Sequence, residues 1–358
     1  MSSLNRLIMK LLSPPNQRRW KSFTGQRRAR VGLWVFFVVL FFALTSEVWS
    51  NQRPLLLIRD VPVNEESSET VRRIFFPALK KYATADLGVF DSFVVDYDEM
   101  LAGDLAAGKN TVAIFPINRW DPFIQSGDVL VGPSWQHWLG TDNLGRDVMA
   151  RLIYGIRISL LYALMYWVFS FFIGIVIGSV QGYWGGMIDF GTERFKELTE
   201  IIPFLSVVIL VNGLAKSQSF WVTLGVVVAF GWISIASQMR AQFLSLRRRD
   251  FCEAARALGA SHHRIVFTHI LPNALTPILT YTPFTISSGI AILAVLDYLG
   301  FGLNPPTPSL GELLSQGRTY ITNAPWLLLA PTVALIVMLI SINLVGESLR
   351  QAFDPKKS

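Results

Sequence analysis

The sequence predicts an all-α integral membrane protein with six transmembrane helices and a small extracytoplasmic insert between the first two. Hydrophobic residues make up 51% of the 358 residues. The mean hydropathy is +0.41, whereas soluble domains lie near zero or below. Six apolar stretches approach the roughly 20 residues that a helix needs to cross about 30 Å of hydrocarbon. They are Val31–Val48, Ile158–Val180, Ile201–Val211, Phe220–Ser237, Leu275–Leu296 and Trp326–Val345.

Two of these stretches contain prolines that shape the prediction. The third is short and has Pro203 near its start, where proline is tolerated in the first turn of a helix. The fifth contains Pro277 and Pro283, which predicts a kinked helix packed among neighbouring helices.

The distribution of lysine and arginine predicts that both termini are cytoplasmic. Residues 1–30 contain eight basic residues and no acidic one. With the N-terminus inside, 19 of the 32 basic residues are cytoplasmic, and the two short outer loops carry only Lys216 and Arg318. Most other outer basic residues fall in one long loop, where charge has little orienting effect. We therefore interpret the net charge of +7 as a topology signal and not as a nucleic-acid site.

The chain divides into five predicted segments. They are a basic cytoplasmic N-terminus (1–30), helix 1 (31–48), an extracytoplasmic insert (49–155), a transmembrane domain (156–346) and a cytoplasmic tail (347–358). Helix 1 is interpreted as an uncleaved anchor, because its basic flank is long for a signal peptide and no small-x-small cleavage site follows it. In the insert, the runs Phe90–Val95 and Thr111–Ile117 are candidate strands.

The loop between the fourth and fifth spans has strong helix-end signals. Phe251–Leu258 favours a helix, with Asp250 placed to cap its N-terminus. Gly259 follows in the position of a left-handed residue that ends a helix. Ser261 can cap a second helix through Ile270, and Pro272 then starts the next span.

This loop resembles the EAA motif of ABC importer permeases. The matching residues are Glu253, Ala254, Ala255, Gly259, Leu271 and Pro272. The resemblance implies the ABC type-1 permease fold and a coupling helix that docks into a groove of a separate ATPase subunit. The alternative is an ordinary basic amphipathic loop that follows the positive-inside rule.

Further stretches resemble the C-type subunits of dipeptide and oligopeptide importers. They are the run from His137 to Asp147, its continuation from Arg151 to Leu160, and the run from Leu299 to Leu303 followed by residues 305–309. Taken as residues, Thr141, Asp142 and Gly145 predict a turn, Asp147 lies near the positive end of the next helix, and Ser309 and Glu312 have capping-box spacing. The N-terminal part, including residues 12–20, 53–56 and 75–82, is similar to the permease subunit of the microcin C type of peptide importer.

The resemblance also implies partners and location. It implies a B-type permease subunit in a heterodimer, cytoplasmic ATPase subunits that bind ATP and Mg, a periplasmic peptide-binding protein and a peptide substrate. No cofactor is expected in this chain. The implied location is the bacterial inner membrane, spanned several times.

No catalytic or metal-binding residues are predicted. The run Gly103–Asn110 fits G-x-x-x-x-G-K but lacks the Ser or Thr that a phosphate loop needs for its metal. No cysteine or carboxylate cluster completes a metal site around His262, His263 and His269. The single cysteine, Cys252, excludes an intrachain disulfide.

The predicted spans have few ionisable residues and several hydroxyls. Thr276, Thr280 and Ser287 would share one face of an unbroken helix. Two interpretations stay open: a wet peptide pathway, or hydroxyls bonded to helix carbonyls or packed between helices. The alternative function is an ion-gradient-driven transporter or channel, although a proton-coupled transporter would be expected to keep carboxylates or histidines in mid-membrane. A third is a membrane anchor whose insert binds a partner.

Overall fold

The computed structural model describes residues 14–62, 70–87, 89, 95–214 and 219–353. Its helices are α1 (Pro14–Gly25), α2 (Arg27–Leu44), α3 (Ser46–Trp49), α4 (Tyr97–Ala106), α5 (Val148–Trp184), α6 (Gly186–Ile201), α7 (Phe204–Leu214), α8 (Phe220–Leu246), α9 (Asp250–Ala257), α10 (His262–Arg264), α11 (Leu271–Leu279), α12 (Thr282–Tyr298), α13 (Leu310–Thr319) and α14 (Trp326–Ala352). A π-helical turn, Ile265–Ile270, joins α10 to α11, and a 3₁₀ turn covers Ala85–Leu87. The strands are β1 (Leu56–Pro62), β2 (Thr70–Phe75) and β3 (Val112–Ile114).

Among the described residues, three helices, α5, α8 and α14, are long and apolar enough to cross a membrane, and the number rises to five if each of two bent pairs is one span. The pairs are α6 with α7, bent by 76°, and α10–α11 with α12, bent by 54°. The second bend lies between Pro277 and Pro283, as their positions predict. Helix α2 covers most of the first predicted span. It is not among these helices, because its 18 residues include three arginines. The count of six spans therefore stays a prediction.

The chain forms two compact units. The first unit comprises Met1–Val39, Ile158–Pro305 and Thr332–Ser358, and the second comprises Leu40–Arg157 and Pro306–Pro331. Helix α5 has 37 residues, which makes it about 55 Å long at 1.5 Å per residue and longer than the hydrocarbon core is thick.

In the second unit, β1 is the central strand of an antiparallel sheet with the order β2-β1-β3. Alternate residues of β1 are buried, and Leu57 and Val61 pack with Phe75, Leu87 and Met100. The predicted run Thr111–Ile117 contains β3, but β1 and β2 were not predicted. Both strands contain charged residues, and Arg59 is buried. The sequence therefore does not show the alternation of apolar and polar residues that predicts a strand.

Asp104 explains the run that resembled a phosphate loop. It lies in α4, and its carboxylate binds Arg59 in a bidentate pair of 2.6 and 2.8 Å and accepts a hydrogen bond from Thr111. The Lys109 Nζ lies 3.7 Å from the same carboxylate. The run therefore closes the small core of the insert.

Some sequence predictions lie outside the described residues. These are residues 90–94 of the run Phe90–Val95, the motif residues 12 and 13, and the basic residues Arg6, Lys10, Lys216, Lys356 and Lys357.

Candidate coupling site

Most side chains of helix α9 are exposed to solvent, and one, Cys252, is buried. Glu253 and Ala254 are exposed, and Leu258, just past the helix, is 88% exposed. Cys252 is fully buried against side chains of α5, α8 and α11. This helix begins at Asp250, and Arg249 occupies the N-cap position without a side-chain cap bond. The prediction that Asp250 caps the helix is therefore wrong by one residue, because the carboxylate already belongs to the first turn.

Gly259 ends α9 in the left-handed conformation, with φ +78°. The Gly259 amide donates to the carbonyl of Arg256, and the Ala260 amide donates to the carbonyl of Ala255. These two bonds form a Schellman motif, which satisfies the last carbonyls of a helix. A Cβ added at Gly259 would meet no atom within 4 Å, so the glycine is required by its backbone conformation and not by crowding.

The segment after the bend is one helical run instead of two helices. Ser261 accepts from the Arg264 amide and caps the run, as predicted. The run then passes through the π turn Ile265–Ile270 directly into α11, which contains Leu271 and Pro272. Proline has no N–H to donate, and the preceding wide turn accommodates it within the run. Pro272 therefore lies in the first turn of α11, as predicted, but no break separates this helix from the segment before it.

A buried apolar cluster fixes α9 to the membrane helices. Cys252 contacts a group that includes Ile265, Ile270 and Ala274 of the following run and Met239 and Phe243 of α8. Burial raises the pKa of the Cys252 thiol, while the nearby Arg256 lowers it by a smaller amount. Close packing in this cluster ties the position of α9 to α8 and α11.

A stripe of glycines, missed in the sequence, brings α5 against α8. Gly174, Gly178 and Gly182 are spaced four residues apart. A Cβ on Gly178 would lie 2.4 Å from the Ala236 carbonyl oxygen, and one on Gly182 would lie 2.5 Å from the Cβ of Phe243. This repeated small-xxx-small spacing is the pattern of close helix contacts in membranes, and it could have been read from the sequence.

A charged cluster, also missed, links α5, α6 and α8. Asp189 binds Arg240 through two short hydrogen bonds and accepts another from Gln181. Glu193 accepts from Gln181 and lies 2.6 Å from Lys196, whose Nζ also donates to Ser237. Ser237 and Arg240 lie more than 40 residues after the other members in the sequence, so only the fold identifies the complete set.

The histidines near the loop have no common ligand geometry. His262 shares a hydrogen bond of 2.7 Å with the hydroxyl of Tyr183, and His263 packs on Phe267 with ring centroids 4.5 Å apart. Among the described residues, no group of three or more metal-ligating side chains is present.

The hydroxyls proposed for a pathway do not lie on one unbroken helix, because the bend falls between Thr280 and Ser287. The Thr280 hydroxyl donates to the Pro277 carbonyl at 2.6 Å, and Thr276 donates weakly to the Pro272 carbonyl at 3.4 Å. Ser287 is buried. For Thr276 and Thr280 these bonds favour the second interpretation, and a pathway role remains a prediction.

The motif before the second span forms a buried network in the second unit. Asp142 accepts from the amides of Leu144 and Arg146 and from the Arg146 side chain at 2.7 Å. Arg146 and Arg151 both donate to Glu312. Gly145 has φ +74°, which confirms the predicted turn.

The predictions for Asp147 and for Ser309 as an N-cap residue are confirmed. Asp147 accepts from the Ala150 amide at the start of α5, at 2.8 Å. Its other oxygen lies 2.9 Å from Nδ1 of His137. Ser309 accepts from the amides of Gly311 and Glu312 and caps α13.

The long apolar helices α5, α8 and α14 are those of a membrane component, and the comparison with family models gives its class. The family model described as the inner membrane component of binding-protein-dependent transport systems matches residues 170–358. The chain belongs to this family of ABC transporter permeases.

Several relatives match most of the chain. It is 38% identical to the inner membrane ABC transporter permease protein YejE of Escherichia coli, over 98% of this chain and 100% of the relative. It is 33% identical to the peptidoglycan transport system permease protein YejE of Agrobacterium fabrum, over 97% and 94%. It is 34% identical to the dipeptide transport system permease protein DppC of Alkalihalophilus pseudofirmus, over 82% and 93%.

Among solved structures, a chain of the MetNI methionine ABC transporter in an inward-facing conformation aligns with a TM-score of 0.47 and 20% identity. The alignment covers 57% of this chain and 97% of that chain.

Proposed function

We propose that this chain is one of two permease subunits of an ATP-driven importer of peptides. One observation carries the proposal: α9 has an exposed face, is attached to the buried apolar cluster through Cys252, and ends at the left-handed Gly259. The peptide substrate is supported by the names of the relatives, which include a dipeptide and a peptidoglycan transport permease. Microcin C-like peptide compounds belong to the same substrate class.

The assembly that we propose has four kinds of component. This chain pairs with a B-type permease subunit, and ATPase subunits bind the exposed face of α9 on the cytoplasmic side. ATP and Mg are held by those ATPase subunits and not by this chain. A periplasmic peptide-binding protein delivers the substrate, and both termini of this chain lie in the cytoplasm of a bacterial cell.

In this proposal, movement of the ATPase subunits displaces α9 and the membrane helices follow. Glu253 and Leu258 lie on the exposed side that meets the ATPase, while Cys252 contacts the buried cluster. Because the cluster includes side chains from α5, α8 and α11, one contact at the surface acts on three helices.

Transport by membrane vesicles tests the energy source. We expect uptake of a labelled peptide in the presence of ATP and the binding protein, and no uptake with a proton gradient alone. Uptake driven by the gradient without ATP would support the secondary-transporter alternative. Binding of the partner by a chain that moves no substrate would support the anchor alternative.

A further inference from the structure

The last residues of α5 lie between the two chain segments that flank α9. Helix α5 ends at Trp184, and Gly185 begins the bend into α6. Arg247 lies between the end of α8 and the start of α9, whereas His262 begins the helical run after the Gly259 bend. Both of these side chains contact the end of α5.

Tyr183 is the residue through which the two contacts pass. The Arg247 guanidinium donates a hydrogen bond of 2.9 Å to the Tyr183 carbonyl. The Tyr183 hydroxyl and Nδ1 of His262 lie 2.7 Å apart and share a hydrogen bond. A Cβ added at Gly185 would lie 3.1 Å from the Arg247 guanidinium, so this side chain also rests on the bend between α5 and α6. Tyr183 is therefore bonded both to the segment before α9 and to the segment after it.

These two bonds restrict the end of α5 more closely than apolar packing does. The Tyr183 ring is buried in the apolar cluster that contains Cys252, and apolar contact has no preferred direction. A hydrogen bond weakens steeply as its angle departs from linearity. The bonds to Arg247 and His262 therefore fix the direction in which the end of α5 faces both flanks of α9.

The same end of α5 is connected to α6. The Gln181 side chain donates to Asp189 and to Glu193, which both belong to α6. The described members of the cluster around Cys252 include no residue of α6. A movement passed to Tyr183 therefore reaches a helix that this apolar cluster does not contact.

We propose that Tyr183 is a positioning residue for energy coupling, because its bonds to Arg247 and His262 make the bend between α5 and α6 follow α9. This role rests on the proposed function, in which the ATPase subunits displace α9. It differs from the role of Glu253 and Gly259, which is contact with the ATPase. Loss of the Tyr183 bonds leaves that contact in place, so ATP hydrolysis continues while less peptide is moved for each ATP.

Proteoliposomes that contain the complete transporter test this role. The binding protein is loaded with a radiolabelled tripeptide that it retains, and uptake and ATP hydrolysis are measured in the same preparation. Tyr183→Phe removes only the hydroxyl. We expect it to lower the peptide transported per ATP about two- to tenfold, the shift in an equilibrium that one hydrogen bond supports. Membrane abundance and binding-protein-stimulated ATP hydrolysis are expected to be unchanged.

Variants of His262 identify the hydrogen bond as the cause. His262→Leu is expected to lower the ratio as much as Tyr183→Phe does, and the double variant by no more than either change alone. His262→Asn places a polar atom at the position of Nδ1 and is expected to restore most of the ratio. The matched control is Tyr162→Phe, which removes from the same helix a buried hydroxyl that has no hydrogen-bond partner among the described residues.

An unchanged ratio in Tyr183→Phe would overturn the proposal, as would an equal fall in Tyr162→Phe or additive losses in the double variant. Membrane abundance that falls in parallel with uptake would leave Tyr183 only a folding role. A loss of stimulated ATP hydrolysis as large as the loss of uptake would assign Tyr183 to ATPase docking instead. Absence of ATP-dependent uptake by the natural complex would contradict the proposed function itself, and no variant is needed to see it.

Discussion

Gly259 is the residue on which the orientation of α9 depends. Its φ of +78° costs a residue with a side chain on the order of 1 kcal/mol, but the space around it is open. A substitution there changes the bend without creating a clash, so a large membrane protein tolerates it.

We predict that Gly259→Trp and Glu253→Arg insert and fold normally while peptide uptake and binding-protein-stimulated ATP hydrolysis collapse. The measurement compares membrane abundance, uptake and ATPase activity in the same preparations. Gly108→Trp is the matched control, because Gly108 also has a positive φ of +67° and open space around it but lies in the insert. Normal uptake in both coupling variants would contradict the assignment, and lost abundance in both would leave only a folding role for the loop.

The opposite behaviour is predicted for Gly178, where backbone contact leaves no room for a side chain. Gly178→Leu forces α5 away from α8 and lowers the thermal midpoint and membrane abundance, because overpacking costs about 1–3 kcal/mol or more. Gly225→Leu in α8 is the control, since an added Cβ there meets no atom within 4 Å. Equal midpoints of the two variants, measured in the same detergent, would show that the stripe is not a packing contact.

At the scale of single elements, the insert depends on a buried ion pair. Burial alone would raise the pKa of the Asp104 carboxyl, but hydrogen bonds from Arg59 and Thr111 and the charges of Arg59 and Lys109 outweigh it and hold the pKa below its usual range. The unfolded value is about 3.9. The pair therefore stabilises the insert above about pH 4, and this contribution is lost as the pH falls through the lower, folded-state pKa.

We predict that Asp104→Asn destabilises the insert by about 3–5 kcal/mol at neutral pH, and that the difference from the natural chain shrinks toward pH 3. Hydrogen exchange of β1 and α4, corrected for intrinsic rates, measures this. Asp98→Asn on the same helix removes an exposed pair with Arg119 and is expected to cost at most about 1 kcal/mol. A pH-independent difference for Asp104→Asn would rule out the ion pair as its cause.

The insert as a whole is expected to help receive the substrate-loaded binding protein. Two helices can be joined by far fewer residues, and the insert has its own sheet and core. Deletion of residues 60–130 is predicted to weaken uptake while the ATPase subunits still co-purify with the chain. Full uptake by the deletion variant would exclude this role.

Local signals in the sequence predicted some elements well and others poorly. Ser261, Asp147 and Gly259 were correctly placed because caps and left-handed bends depend on neighbouring residues only. The π turn before Pro272 and the pairing of Arg59 with Asp104 were missed because both depend on packing between distant segments. The Asp189 and Arg240 pair joins residues 51 positions apart and was missed for the same reason.

At the scale of the whole molecule, the prediction that remains to be measured is topology. In a Cys252→Ser background, a cysteine replacing the exposed Glu99 is expected to react with an impermeant reagent in intact spheroplasts. A cysteine replacing Leu258, which is 88% exposed, is expected to react only after permeabilisation. Shielding of the first position in intact spheroplasts would contradict the orientation with both termini inside.

The glycine stripe on α5 also restricts which helices can move relative to one another during a transport cycle. Because the backbones are in close contact at Gly178 and Gly182, we expect α5 and α8 to move together as one rigid body. Rotation is then expected at interruptions of helical structure, such as Ile202–Pro203 between α6 and α7 and Thr280–Tyr281 between α11 and α12.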